Sequence, residues 1–361
     1  MSSKVSKVYP LPNASQHGGN LFNLPAPVKV FIVTSHHARI VCLLYALLQG
    51  ANGGKEIALN NVAVVRVFND GKGQLHISLL VEGSTVKQKQ KYKDITWKAV
   101  HNDVDGTTTT PSFDVPINPS LFPGMDVRIP FVIYFIRHGQ GVHNTMNTFQ
   151  KIFHRPYGIF WDPLLINTIG IKDAANAIRQ DLATFQITSL HNLYYISSPL
   201  RRCIETMLFL ISNLFSLTPV NPVNPASPPL QVNIVPCLHE LPAKAKKGKV
   251  STGLCDTSKN KLVSSSYFGA QNASRCLSKL GTTKQTQCTT FSYLFPQSMP
   301  TTLPSTLSQR EATVWKTLQQ LKPLNMLNPS DPNSTVSINW TLMKGKWDCT
   351  RETFFSYLAN M

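Results

Sequence analysis

Acidic residues are scarce in this chain of 361 residues: Asp and Glu number 18 against 35 Lys and Arg. A metal centre built from several carboxylates has little to draw on. The net charge of +17 favours anionic partners, and nucleic acid is open to it on charge alone, although no nucleic-acid motif accompanies that charge. Long apolar runs are missing too. The longest, Ile40 to Leu48, is too short to span a bilayer. The first stretch, MSSKVSKVYPLPNASQHGGN, lacks the apolar centre of a signal peptide. The seven cysteines form no CxxC pair, and in a chain of this length they are expected to be reduced thiols in a cytoplasmic, intracellular setting. No internal repeat is apparent. What remains is a chain with 42% hydrophobic residues, enough to bury a substantial core in one large domain or two ordinary ones.

Apolar periodicity then orders the chain. Residues 1–27 are rich in Asn, Ser, Pro and Gly and read as an extended arm. Val28 to Thr34 is a strand, followed by an apolar helix from Ile40 to Gln49 that Gly50 closes. Asn61 to Phe68 and Gln74 to Val81 flank Asn69-Asp70-Gly71-Lys72-Gly73, a hairpin signal. Residues 82–130 are a basic, turn-rich connector with room for a short strand or two. Beyond it come a strand from Phe131 to Ile136, a helix from Ile171 to Phe185, a strand from Asn192 to Ile196 and a helix from Cys203 to Leu217. A short strand, Val232 to Val235, leads to Leu238-His239-Glu240, after which residues 241–304 read as a polar insertion or lid. Helices are expected at Leu307 to Leu321 and at Cys349 to Met361. Strands alternating with helices indicate an α/β fold.

Three of these strands end in groups that carry chemistry. The sequence FVIYFIRHGQGVHN runs from a buried strand straight into Arg137, His138 and Gly139; VFIVT runs into His36; YYISS is followed by Arg202. A mostly parallel sheet places such ends on one edge, where two imidazoles and two guanidiniums can meet a single anion. That is the composition phosphoryl transfer through a phosphohistidine needs: arginines on the equatorial oxygens, a histidine attacking in line, and an acid for the leaving oxygen. Metal binding by His36, His37, His138 and His143 is disfavoured, because their spacing is not that of a standard zinc site.

These motifs resemble those of the histidine phosphatase, or phosphoglycerate mutase-like, superfamily. Arg137-His138-Gly139 with Asn144 is similar to its first motif. Asp162-Pro163-Leu164-Leu165 with Gly170 and Ala174 resembles the second, and Ser198-Pro199-Leu200-Arg201-Arg202 with Thr206 the third. Leu238-His239-Glu240 looks like the segment that carries the acid. The strand-Ser-His-helix motif that ordinarily closes the family's fold has its likeness at the front, in VFIVTSHHARIVCLLYALLQG, and the hairpin after it resembles the family's last hairpin. The resemblance therefore implies a circular permutation.

The implied fold is a three-layer sandwich, a mostly parallel sheet with helices on both faces, in one permuted domain over 28–361. Within it, 28–81 is the family's C-terminal part, 82–130 the connector, 131–240 the catalytic part, 241–304 the insertion and 305–361 the closing helices. The implied activity is metal-independent hydrolysis of phosphomonoesters, with mutase activity less favoured. His138 would be the nucleophile and Glu240 the acid, while Arg137, Arg202, His36 and Asn144 would bind the phosphoryl group without a cofactor. The substrate would be a phosphorylated small molecule or phosphoprotein, and lysines 244, 246, 247, 249, 259 and 261 could gather a polyanionic one. Two departures, His37 where the family has Gly and Gly141 where many members have Ser, leave an alternative from another class: an inactive member serving as a basic binding or structural module.

Overall fold

Strand β1 (Lys29–Ser35) reads KVFIVTS, and after its first residue every side chain is buried. Val30 and Ile32 join one apolar cluster, Phe31 and Val33 another. A strand covered on both faces needs such an unbroken apolar run, and helices must supply both covers. The computed structural model describes residues 28–48, 57, 59–83, 112–141, 165, 168–187, 189–198, 200–216, 230–238, 336–339 and 351–361. Over these the strands are β1, β2 (Val64–Asn69), β3 (Gln74–Val81), β4 (Ser112–Pro116), β5 (Phe131–Arg137), β6 (Tyr194–Ser197), β7 (Gln231–Ile234) and β8 (Ser337–Asn339). The helices are α1 (His37–Leu48), α2 (Ile171–Thr184), α3 (Arg201–Ser216) and α4 (Arg351–Ala359). Helices α2 and α3 pack on one face through residues such as Ile178 and Ile211, and α1 and α4 cover the other through Leu44 and Phe355.

The eight strands form one mixed sheet in the order β4-β3-β2-β5-β1-β6-β7-β8. From β5 to β8 all pairings are parallel, and β2, β3 and β4 add an antiparallel edge. The mostly parallel sheet expected from the sequence thus describes one half of a mixed one. The first of the described strands, β1, sits between β5 and β6.

Several expected boundaries move. Helix α1 begins at His37 rather than Ile40, because Ile40 N–H already donates to the His36 carbonyl at 2.9 Å. Strand β2 begins at Val64 rather than Asn61, after Val62 turns the chain at a φ of 61°. The connector contributes β4, which extends the hairpin. Strand β8, three residues at the far edge, was not anticipated; Asn339 Nδ2 donates to Asn233 Oδ1 there at 2.9 Å. The expectation of reduced thiols is corrected at Cys42. This residue, buried in α1, is disulfide-bonded, whereas the buried Cys203 and Cys237 are outside any disulfide. Disulfides persist in oxidising surroundings, so cysteine usage no longer argues for a reducing compartment. No described helix is long and apolar enough to cross a membrane. The insertion over 241–304 and the helix expected at 307–321 lie outside the described residues.

A buried ion pair ties the two halves of the sheet to a helix. Arg66 of β2 donates from Nη1 to Asp181 Oδ1 of α2 at 2.6 Å and from Nη2 to Ser78 Oγ of β3 at 3.2 Å. Tyr134 of β5 donates its hydroxyl to Asp181 Oδ2 at 2.7 Å. Burial, reinforced by the neighbouring carboxylate, holds the Tyr134 phenol well above its ordinary pKa, so it remains a donor. Breaking a buried pair by removing one member strands the other charge. Asp181→Ala is therefore expected to cost about 3–5 kcal/mol in denaturant unfolding; a loss below about 1 kcal/mol would show that water reaches Arg66.

Candidate functional site

The parallel ladder does not stop with the strands. Beyond β5, His138 N–H donates to the Ser35 carbonyl at 2.9 Å; beyond β6, Ser198 N–H donates to the Thr34 carbonyl at 3.0 Å. His36, His138 and Ser198 therefore emerge side by side at the carboxyl edge, where open α/β sheets hold ligands. Two helices start at the same edge. His36 precedes α1 and accepts its first helical bond, and Leu200 does so for α3, receiving Cys203 N–H at 2.8 Å. Helix N-termini carry partial positive charge and unpaired N–H groups, which suits an anion.

Arg202, in the first turn of α3, lies between the two histidines. Its Nε donates to His138 Nε2 at 3.2 Å and its Nη2 to His36 Nδ1 at 3.1 Å, and the imidazole centroids are 5.0 Å apart. A guanidinium only donates, so both of those imidazole nitrogens must offer lone pairs. The remaining ring nitrogens then carry the protons. His138 Nδ1–H donates to the Gly139 carbonyl at 2.6 Å, and His36 Nε2–H donates to Ser198 Oγ at 2.9 Å. The Cys203 thiol lies 3.4 Å from that same His36 nitrogen. His36, His138 and Arg202 are at most 3% exposed, so an anion bound here would meet these groups largely out of water, where the interaction is strongest.

The turn after β5 is clamped to α3. Gly139 N–H donates to Thr206 Oγ1 at 2.9 Å, and that hydroxyl donates in turn to the Arg202 carbonyl at 2.6 Å. A Cβ at residue 139 would come within 3.0 Å of Leu165 Cδ2, so glycine allows this approach. Leu165 is itself held by its N–H, which donates to the buried Glu205 carboxylate at 2.7 Å. Ser35 Oγ donates to the Leu238 carbonyl at 2.7 Å, fixing the start of the segment that leads toward Glu240.

Of the residues expected at the site, His36, His138 and Arg202 are in mutual contact. Arg137 is half-buried at the end of β5, and its Nη1 donates to the Leu59 carbonyl. Glu240 and Asn144 lie outside the described residues, as does His143. Helix α1 begins with the half-buried His37. Among the described residues no group of three or more His, Cys, Asp or Glu could hold a metal ion. Three contributors had no assigned role in the sequence: Ser198, Cys203 and Glu205. Ser198 could have been found, since it stands directly after a strand on the same edge as both histidines. Cys203 and Glu205 are reached only through the turn of α3, which no local pattern announces. A cavity of about 350 Å³ lined by Tyr194, Gln231 and Tyr357 lies at the opposite ends of β6 and β7.

No protein-family model, no curated protein and no solved structure matches the chain.

The hydrogen-bond directions define the tautomers, and nitrogen NMR reads them. In the ligand-free protein at neutral pH, His138 is expected as the Nδ1–H form and His36 as the Nε2–H form. Arg202→Met should release His36 to the tautomer mixture of free histidine, while His138 stays Nδ1–H through the Gly139 carbonyl. The opposite tautomer at either ring, or no response of His36 to Arg202→Met, would contradict the arrangement.

Proposed function

We propose that the protein is a metal-independent phosphomonoester hydrolase that works through a phosphohistidine on His138. The observation that carries this reading is the direction of the His138 ring. Its Nδ1–H is tied to the Gly139 carbonyl, and its Nε2 lone pair faces Arg202 and His36 at a buried edge with two helix N-termini. A nucleophile needs a free lone pair, and a transferring phosphoryl group needs fixed positive charge around its equatorial oxygens.

In the proposed reaction the phosphate monoester takes over the donors of Arg202, and Arg137 and Asn144 add to them. Nε2 of His138 attacks phosphorus and the bond to the ester oxygen breaks. The leaving oxygen takes a proton from Glu240. Water then attacks the phosphohistidine and gives a proton back to the Glu240 carboxylate, the nitrogen–phosphorus bond breaks, and inorganic phosphate leaves. The family reading, with its permuted order, is supported by the way β1 brings His36 from the front of the chain between β5 and β6. The net charge of +17 and the six lysines over 244–261 favour a polyanionic substrate.

Turnover of an aryl phosphate in the presence of a chelator tests this. The intact protein is expected to be active, His138→Ala to fall to background, and His36→Ala or Arg202→Ala to lose about 10²–10⁴-fold in kcat. Absence of activity in the intact protein, or activity indifferent to His138→Ala, would favour the inactive binding module, for which His37 in the family's glycine position speaks.

A further inference from the structure

The resting hydrogen bonds fix the charge of both imidazoles, and that charge does not suit a bound phosphate. With Arg202 donating to Nδ1 of His36 and Nε2 of His138, each ring holds one proton and is neutral. A phosphomonoester dianion arriving between them, like sulfate, offers only acceptor oxygens and draws the guanidinium N–H groups to itself. Each freed imidazole nitrogen would then face an oxygen lone pair to lone pair. His138 must leave Nε2 unprotonated in order to attack phosphorus, and its Nδ1–H is already given to Gly139. His36 has no such duty. Its Nε2–H is held by Ser198, which leaves Nδ1 as the atom turned toward the incoming anion.

We infer that binding of a tetrahedral dianion at this site is coupled to uptake of one proton by His36 at Nδ1, with Ser198 as the positioning residue that keeps Nδ1 turned inward. The inference rests on the phosphate-site reading above and extends it. The resting protein stores no imidazolium beside Arg202, where two like charges would be buried together, and the second cation appears only with the anion that neutralises it. Among the described residues, the titratable and charged groups around His36 include Arg202 and Cys203 from α3, with the buried Glu205 carboxylate one turn further along that helix, and His138 from the end of β5. His37 and Arg39 follow it in the first turn of α1.

Calorimetric titration of the full chain with inorganic phosphate and, separately, with sulfate measures the coupling. Sulfate has the same shape and charge but takes no proton of its own in this pH range, so it isolates the protein's uptake. Run at about pH 8 in two buffers of different ionisation enthalpy, the heats should differ by the uptake of about one proton per anion bound. Affinity should fall by about tenfold per pH unit as pH rises above the range in which free histidine titrates. His36→Asn should bind with no buffer-dependent heat. Ser198→Ala should weaken the pH dependence while Ser198→Thr, which keeps a hydroxyl, restores it.

Binding of both anions with buffer-independent heats and a flat pH profile would overturn the proton coupling and leave the phosphate site standing. Failure of either anion to bind, together with no turnover of an aryl phosphate, would overturn the phosphate site itself and this inference with it.

Discussion

Strand β1 is hydrogen-bonded on both sides, parallel to β5 on one and to β6 on the other, and the rest of the molecule depends on that placement. Its register sets Ser35 opposite Arg137 and Thr34 opposite Ser197, so the three strands finish level. The register has little freedom to slip. A shift of one residue would exchange Phe31 and Val33 with Val30 and Ile32 between the faces, and each face is already filled by its own helices. Burial on both sides thus does more than stabilise β1. It fixes where His36 leaves the sheet relative to His138, although about a hundred residues of chain separate them.

Two buried arginines illustrate how partner choice separates structure from chemistry. Arg66 is bonded to a carboxylate, Asp181, which is itself held by Tyr134; the charges cancel within the core and serve to fasten β2 and β5 to α2. Arg202 is bonded to imidazole lone pairs. Its described partners are neutral acceptors, at a buried sheet edge that two helix N-termini also face, which suits an anion. The clamp from Gly139 through Thr206 to the Arg202 carbonyl then holds the turn of His138 and the arginine's helix as one unit.

Much of this was legible in the sequence, for physical reasons that differ between elements. Strands β1, β5 and β6 are short apolar runs that end in polar groups, and such a run can satisfy its backbone only inside a sheet. Since parallel strands share an edge, their polar ends were expected to meet, and His36, His138 and Arg202 do. Helix α1 misled at its start: His37, Ala38 and Arg39 break the apolar pattern, yet the backbone is helical there because Ile40 bonds to His36. Strand β8 was illegible, since three half-buried residues at a sheet edge carry neither periodicity nor turn signals. The disulfide at Cys42 was missed for another reason. Spacing along the chain does not determine which cysteines meet, and length argues only that a staple is unnecessary. Ser198 was visible as part of a motif, but its role follows from the direction of the His36 ring, which no sequence shows.

The central claim is that His138 offers Nε2 to phosphorus while His36 and Arg202 hold the transferred group. Rapid quenching during incubation with an aryl phosphate, followed by peptide mass spectrometry under alkaline conditions that preserve phosphohistidine, tests it most directly. The account predicts a single phosphoryl group on His138, absent in His138→Ala and more persistent when water attack is slowed by low temperature. A phosphoryl group on another residue, or turnover with no covalent intermediate under the same conditions, would contradict it.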